Sequence, residues 1–174
     1  MRILFEMDKR DHADCTRTFR RDSARAVIIK GGRAAMVYSR KHGYYKFPGG
    51  GVKAGEDPVE AMIRETREET GLIVKPETVR EYGMVHRVQR SSFDETERFI
   101  QDNYYYLCET EDEVSAQNLD EYEAEEGFTL EYVELDEAIR KNRSAASGDP
   151  IDAVMFEREA RVLETLMCEG MFNN

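Results

Sequence analysis

Apolar and polar residues alternate in short stretches along most of this chain, and the spacing turns helical in two places. Residues 1–6 read as a short strand. Residues 8–22 are polar, rich in arginine and turn-formers, and predict a loop or short hairpin. Ala24 to Lys30 and Arg33 to Arg40 predict two strands joined by Gly31-Gly32, a dipeptide suited to a tight hairpin. Tyr44 to Phe47 leads into Pro48-Gly49-Gly50-Gly51, where missing Cβ atoms let backbone approach a ligand closely. Val79 to Arg90, Phe99 to Glu109 and Phe128 to Val133 predict further strands, with a loop over the acidic stretch 110–126. Asp136 to Lys141 predicts a short helix and Ser144 to Gly148 a linker. A closing helix starts near Asp149-Pro150, its Ile151, Val154, Met155, Val162, Leu163, Leu166 and Met167 spaced for core packing. Strands and helices mixed this way predict an α/β sandwich. We expect a single domain over residues 1–174, a length that supports one sizeable core.

The other helical stretch, 58–70, carries the chemistry. Asp57 suits the N-cap, Pro58 the first turn, and Glu60 completes the spacing of a capping box. Gly71 suits a left-handed ending. Val59, Met62, Ile63, Thr66 and Thr70 share one face at helical periodicity, while Glu65, Glu68 and Glu69 share another. Like charges at i, i+3 and i+4 repel by a few tenths of a kcal/mol per pair. A hard divalent cation relieves that repulsion, and clustered carboxylates with positions left for water and phosphate suit Mg2+. An acidic helix stripe taken alone is usually a solvated face. Here Gly50, Glu56, Arg64 and Gly71 stand at fixed offsets around it. With average usage near ~6% per residue type, a chance match of that whole set is on the order of one in a million.

That spacing resembles the signature of the Nudix hydrolases. Gly50, Glu56, Arg64, Glu65, Glu68, Glu69 and Gly71 fill its fixed positions, and Leu72 its last aliphatic one. Thr66 departs from the pattern, standing where an aliphatic residue is usual. It has about the volume of valine, but its hydroxyl needs a partner. The resemblance implies a Nudix-like α/β/α sandwich with a mixed central sheet. It implies metal ligation by Glu65, Glu68 and Glu69 with the Gly50 carbonyl, and Mg2+ as the cation, with Mn2+ as the alternative. Arg64 is expected to pair with Glu56 and orient the carboxylates. The general base is either a signature glutamate or an acid on a later loop. Glu121, Glu123, Glu125 and Glu126 are available there, and Glu126 is favoured because it precedes the strand at Phe128. Arg40 and Lys46 are candidates for phosphate contacts, as is Lys53, and Tyr45 and Phe47 for base stacking, together with Tyr44. The implied reaction is hydrolysis of a nucleoside diphosphate linked to another group, with nucleoside triphosphates favoured. ADP-sugar hydrolysis and a non-catalytic nucleotide-sensing module are the alternatives. An allylic-diphosphate isomerase needs a catalytic cysteine, and none lies near this signature.

Charge narrows the partners. The net charge is −11, yet residues 1–53 hold thirteen basic and five acidic side chains. Thirteen acids and no base lie between Glu109 and Glu137. An acidic total disfavours nucleic acid polymers, whereas the basic N-terminal third suits the phosphates of a small nucleotide. No apolar run reaches the ~20 residues of a membrane span, and Glu6 falls too early for a secretory signal. Cys15, Cys108 and Cys168 are scattered, as expected of reduced thiols in a cytoplasmic protein. Monomer and homodimer both fit.

Overall fold

The computed structural model describes residues 1–145 and 150–171, the side chains of 150–152 apart. The chain runs β1 (Ile3–Asp8), β2 (Arg17–Arg20), β3 (Ser23–Val27), β4 (Ile29–Lys30), β5 (Arg33–Ser39), β6 (Tyr44–Lys46), β7 (Gly49–Gly51), α1 (Pro58–Thr70), β8 (Leu72–Val74), β9 (Arg80–Arg90), β10 (Glu97–Leu107), β11 (Thr110–Val114), α2 (Glu121–Glu126), β12 (Phe128–Val133), α3 (Leu135–Ser144) and α4 (Pro150–Cys168).

The largest sheet has the order β1-β9-β10-β3-β7, with β2 paired to β10. It is mixed: β1 and β9 are parallel, as are β3 and β10, whereas β9 and β10 are antiparallel. A second sheet orders β12-β5-β4, with β6 on β5, and β8 pairs with β11. Neighbouring residues on β10 face opposite sides, as the strand period of two requires. Tyr105 joins a core with Phe47, Val85, Leu163 and Leu166 beneath α3 and α4. Tyr106 joins the other core with Ala24, Ala61, Met62 and Leu72 beneath α1. Helices therefore cover both faces of a mixed sheet, the expected α/β/α sandwich. In the stripe on α4, Val162, Leu163 and Leu166 are fully buried core, whereas Met167 is exposed, contrary to expectation. Ile151 and linker residues 146–148 lie outside the described side chains.

Helix α1 has the expected bounds and caps. Asp57 accepts from the backbone N–H of Val59 at 2.8 Å and of Glu60 at 3.4 Å. Gly71 is left-handed at φ 76° and donates its N–H to the Arg67 carbonyl. A Cβ there would overlap the carbonyl oxygen of Ser115, so glycine is required twice over at this position.

Two segments differ from the sequence reading. The stretch 110–126 is not a loop. It contains β11 and α2, and α2 starts with a reciprocal capping box between Asp120 and Glu123 and ends at left-handed Gly127. Acids cluster there because a helix N-terminus favours them. Residues 17–20 form a strand whose residues are all exposed. Backbone pairing to β10 holds it, so side-chain alternation gave no signal.

Gly71→Ala is expected to destabilise the fold by about 1–3 kcal/mol, read as a lower urea midpoint with unchanged slope. An unchanged midpoint would remove the argument for glycine here.

Candidate active site

The site is built where α1 meets β7. Ala24 pairs with Gly50 across β3 and β7, holding the glycine strand at the sheet edge. Glu65 on α1 presses its carboxylate against Gly50, and a Cβ at Gly50 would occupy the same space. Glu69 is 1% exposed. One of its oxygens accepts the Gly49 N–H at 2.9 Å, and the other meets the Lys46 ammonium. Lys46 also lies 4.3 Å from the centre of the Phe128 ring.

Arg64 organises the remaining charges. Its Nε and Nη2 donate to the two oxygens of Glu56 at 2.9 and 3.1 Å. Its Nη1 donates to Glu65 at 2.6 Å and to Glu68 at 3.1 Å. This is the expected Arg64–Glu56 pair, in fork geometry. The guanidinium, helped by the Lys53 N–H, holds the Glu56 carboxyl down at about 2. The sequence suggested that a divalent ion must relieve the crowded carboxylates. Lys46 and Arg64 already offset part of that charge within the chain.

Carboxylate oxygens of Glu65, Glu69 and Glu123 lie within 4.8 Å of one another. Three hard oxygen donors at that separation fit one Mg2+ or Mn2+ ion. Glu68 lines the same 300 Å³ cleft beside Lys53, Asp120 and Glu123. Burial and the nearby Glu69 push the Glu123 carboxyl up to about 6, against the pull of the Asp120 N–H that it accepts.

Glu126 lies elsewhere. It is 2% exposed, accepts from the Ser39 hydroxyl at 2.9 Å, and sits 3.2 Å from His42 Nε2 and 3.3 Å from Lys41 Nζ. Glu123, three residues earlier and so one turn away on α2, is the acid facing the signature carboxylates. The residues considered for substrate contact are also spoken for. Tyr45 donates its hydroxyl to Glu131 at 2.7 Å and stacks on Tyr38. Tyr44 packs on Phe156, and Phe47 is a core residue set edge-on to Tyr105. Lys46 serves Glu69, and Arg40 is exposed beside Gly127.

A second cavity, of 530 Å³, adjoins the cleft. Gly51 and Tyr122 line it, each one residue from a member of the carboxylate site. Arginines 21, 25, 87 and 158 also line it, and sequence reasoning missed all four. The one available signal was a charge inside an apolar strand, as with Arg25 between Ala24 and Ala26.

The fold and the carboxylate site define a recognised class. A model of the NUDIX domain matches residues 19–155, and the chain belongs to that family. RNA pyrophosphohydrolase of Psychromonas ingrahamii is 43% identical over 56 residues, 31% of this chain and 30% of that protein. RNA pyrophosphohydrolase of a Marinomonas species is 40% identical over 48 residues, 26% of this chain and 30% of that protein. The match thus spans under a third of these curated relatives. Among solved structures, a NUDIX hydrolase from Nitrosomonas europaea superposes with TM-score 0.55 at 17% identity, covering 82% of this chain and 91% of that one. The E. coli ORF135 protein gives TM-score 0.54 at 20% identity, covering 84% and 92%. These two likenesses concern the fold.

Thr66 is fully buried and its hydroxyl has no hydrogen-bond partner. Thr66→Val restores the family's aliphatic residue and is expected to stabilise the protein by about 1 kcal/mol or more, measured by chemical denaturation. A loss of stability would mean that the hydroxyl has a partner after all.

Glu56 titrates well below its ordinary 4.5. A carboxyl depressed on folding contributes stability above its unfolded value and loses it as pH falls through the folded one. Unfolding free energy is therefore expected to drop between about pH 4.5 and about pH 2, with a shallower slope in Glu56→Gln. Equal slopes in the two proteins would contradict the Arg64–Glu56 account.

Proposed function

We propose that this chain is a metal-dependent Nudix hydrolase of one domain, cleaving the phosphoanhydride bond of a nucleoside diphosphate linked to another group. One observation carries the reading: Glu65, Glu69 and Glu123 converge beside the glycine strand, next in sequence to Gly51 and Tyr122 of a cavity large enough for a nucleotide. Nucleoside triphosphates remain the favoured substrates and ADP-sugars the alternative. The names of the two curated relatives, each an RNA pyrophosphohydrolase, add RNA as a third carrier of the same linkage. A non-catalytic sensor is disfavoured because every signature acid is present. No helix among the described residues is long and apolar enough to cross a membrane, and Cys15, Cys108 and Cys168 are free thiols. Both features agree with work in the cytoplasm.

A diphosphate resists attack because its charge repels nucleophiles. Glu65 and Glu69 would hold a Mg2+ or Mn2+ ion, with Glu68 and the Gly50 carbonyl completing the set and the Glu123 carboxylate left beside it. Such an ion supplies charge neutralisation and a more acidic bound water. Arg64 fixes the orientation of Glu65 and Glu68 through its two Nη1 contacts. Glu123 takes the proton of the attacking water. Its raised pKa places it close to the range where a base works best near neutrality. This assignment replaces Glu126, whose oxygens are occupied by Ser39, Lys41 and His42.

Hydrolysis of nucleoside triphosphates and ADP-sugars with Mg2+ and Mn2+ tests the reading directly. Glu65→Gln and Glu68→Gln are each expected to lower turnover by about 100-fold or more. Glu123→Gln should lower kcat with little change in KM, while Glu126→Gln should act on stability. If Glu126→Gln abolishes kcat and Glu123→Gln does not, the base assignment fails. If no diphosphate compound is cleaved with either ion, the hydrolase reading fails with it.

A further inference from the structure

The cavity beside the carboxylates has a composition that hydrolysis alone does not require. Four arginines line it and, among the described residues, no acidic side chain does, in a chain of net charge −11. Two of the four are engaged. Arg158 donates to Glu159 at 2.6 and 2.9 Å and to Asn103 at 2.6 Å. Arg25 donates through Nη1 to the carbonyls of Phe47 and Gly49.

Arg87 is different. It is 5% exposed. Its Nε and Nη2 both donate to the same oxygen of Gln89, at 3.1 and 2.8 Å. Its guanidinium carbon lies 5.5 Å from the centre of the Phe99 ring. Among the described residues no carboxylate pairs with it, and its Nη1 has no hydrogen-bond acceptor. Burial and the neighbouring Arg158 push its pKa down to about 10. A buried cation with no counter-charge destabilises a fold. Arg21, exposed beside Gly51 on the same cavity, likewise meets no carboxylate among the described residues.

The chemistry around Arg87 is one-sided. Gln89 spends its acceptor oxygen on Arg87, so what remains of that side chain donates. Sugars and adenine edges bring donors as well as acceptors. A phosphoryl group brings only acceptors, together with the missing negative charge, and suits a guanidinium fork.

We propose that this cavity is a phosphate subsite: the substrate cleaved at the neighbouring carboxylates carries a further phosphoryl group outside the scissile diphosphate, received by Arg87 with Arg21 on the rim. What is cleaved rests on the hydrolase reading; the subsite itself does not. A phosphomonoester on a ribose and the phosphodiester of an oligonucleotide share this chemistry. Phe19 and Phe99, paired at 6.0 Å between ring centres, line the same cavity and offer ring faces to an attached base.

Calorimetry without metal separates the possibilities, using AMP, adenosine 2′,5′-bisphosphate, adenosine 3′,5′-bisphosphate and the dinucleotide pApA. At least one of the last three is expected to bind about tenfold more tightly than AMP. A bisphosphate preference identifies a monoester, and a pApA preference a diester. In Arg87→Gln the preference should shrink to within about twofold, and Arg87→Lys should recover part of it. Arg87→Gln should also raise the melting temperature, because a buried unpaired charge is gone. Should that variant not fold, Arg21→Gln on the exposed rim carries the test, and the preference must shrink there too. Equal affinities in the wild type overturn the proposal, as does a preference that survives the substitutions. No turnover is read, so failure of the hydrolysis assays with Mg2+ and Mn2+ would sink the hydrolase reading and leave the subsite standing.

Discussion

The closeness of α1 to the glycine strand β7 is the constraint on which the rest depends. Glu65 lies where a Cβ on Gly50 would be, and Glu69 takes the Gly49 N–H at 2.9 Å. A carboxylate that accepts a backbone N–H in a buried place fixes helix and strand as one unit. The glycines of β7 are therefore an answer to how near the helix must come. Since β7 pairs with β3, the position of the carboxylates is tied to the centre of the largest sheet.

Charge is distributed around that contact with a clear division. Acids from α1 and α2 gather on one side of β7, and arginines from β3, β9 and α4 line the cavity that begins at Gly51. The basic N-terminal third contributes Arg21 and Arg25 to that cavity. A phosphorylated ligand lying across β7 would meet a cation-binding face and an anion-binding face within one cleft. Gly49 joins the two faces, giving its N–H to Glu69 and its carbonyl to Arg25.

The signature helix was legible to the residue, because its caps and its periodicity are local. The Arg64–Glu56 pair was legible too, since both residues flank the same turn. Glu123 was visible only as one acid among several. Its placement follows from the capping box at Asp120, which turns an acidic run into a helix and aims one residue of it at Glu69. Glu126 looked equally suited in the sequence, but one helical turn sends it to Ser39 and His42 instead. Tyr45, Lys46 and Phe47 sit next to the glycine loop in sequence, yet strand alternation and the Glu69 pairing turn them inward. The arginine cavity was not legible at all. It joins residues from five separated segments, and contacts between segments so distant leave no local trace.

The partial neutralisation of the acids decides how the site can exist before any ion arrives. Three signature glutamates and Glu123 would repel one another if left alone. Lys46 answers Glu69, and Arg64 answers Glu65 and Glu68 while held in turn by Glu56. Two protein cations against these acids, Glu56 included, offset part of the charge and leave the cluster net negative. An arriving cation competes with two protein cations for the same oxygens, which weakens its binding but leaves the carboxylates already oriented. Arg87 has no such partner, and its side of the cleft is left charged until a ligand fills it. The carboxylate face is partly settled in advance by the chain itself, whereas the arginine face is left for the ligand to settle.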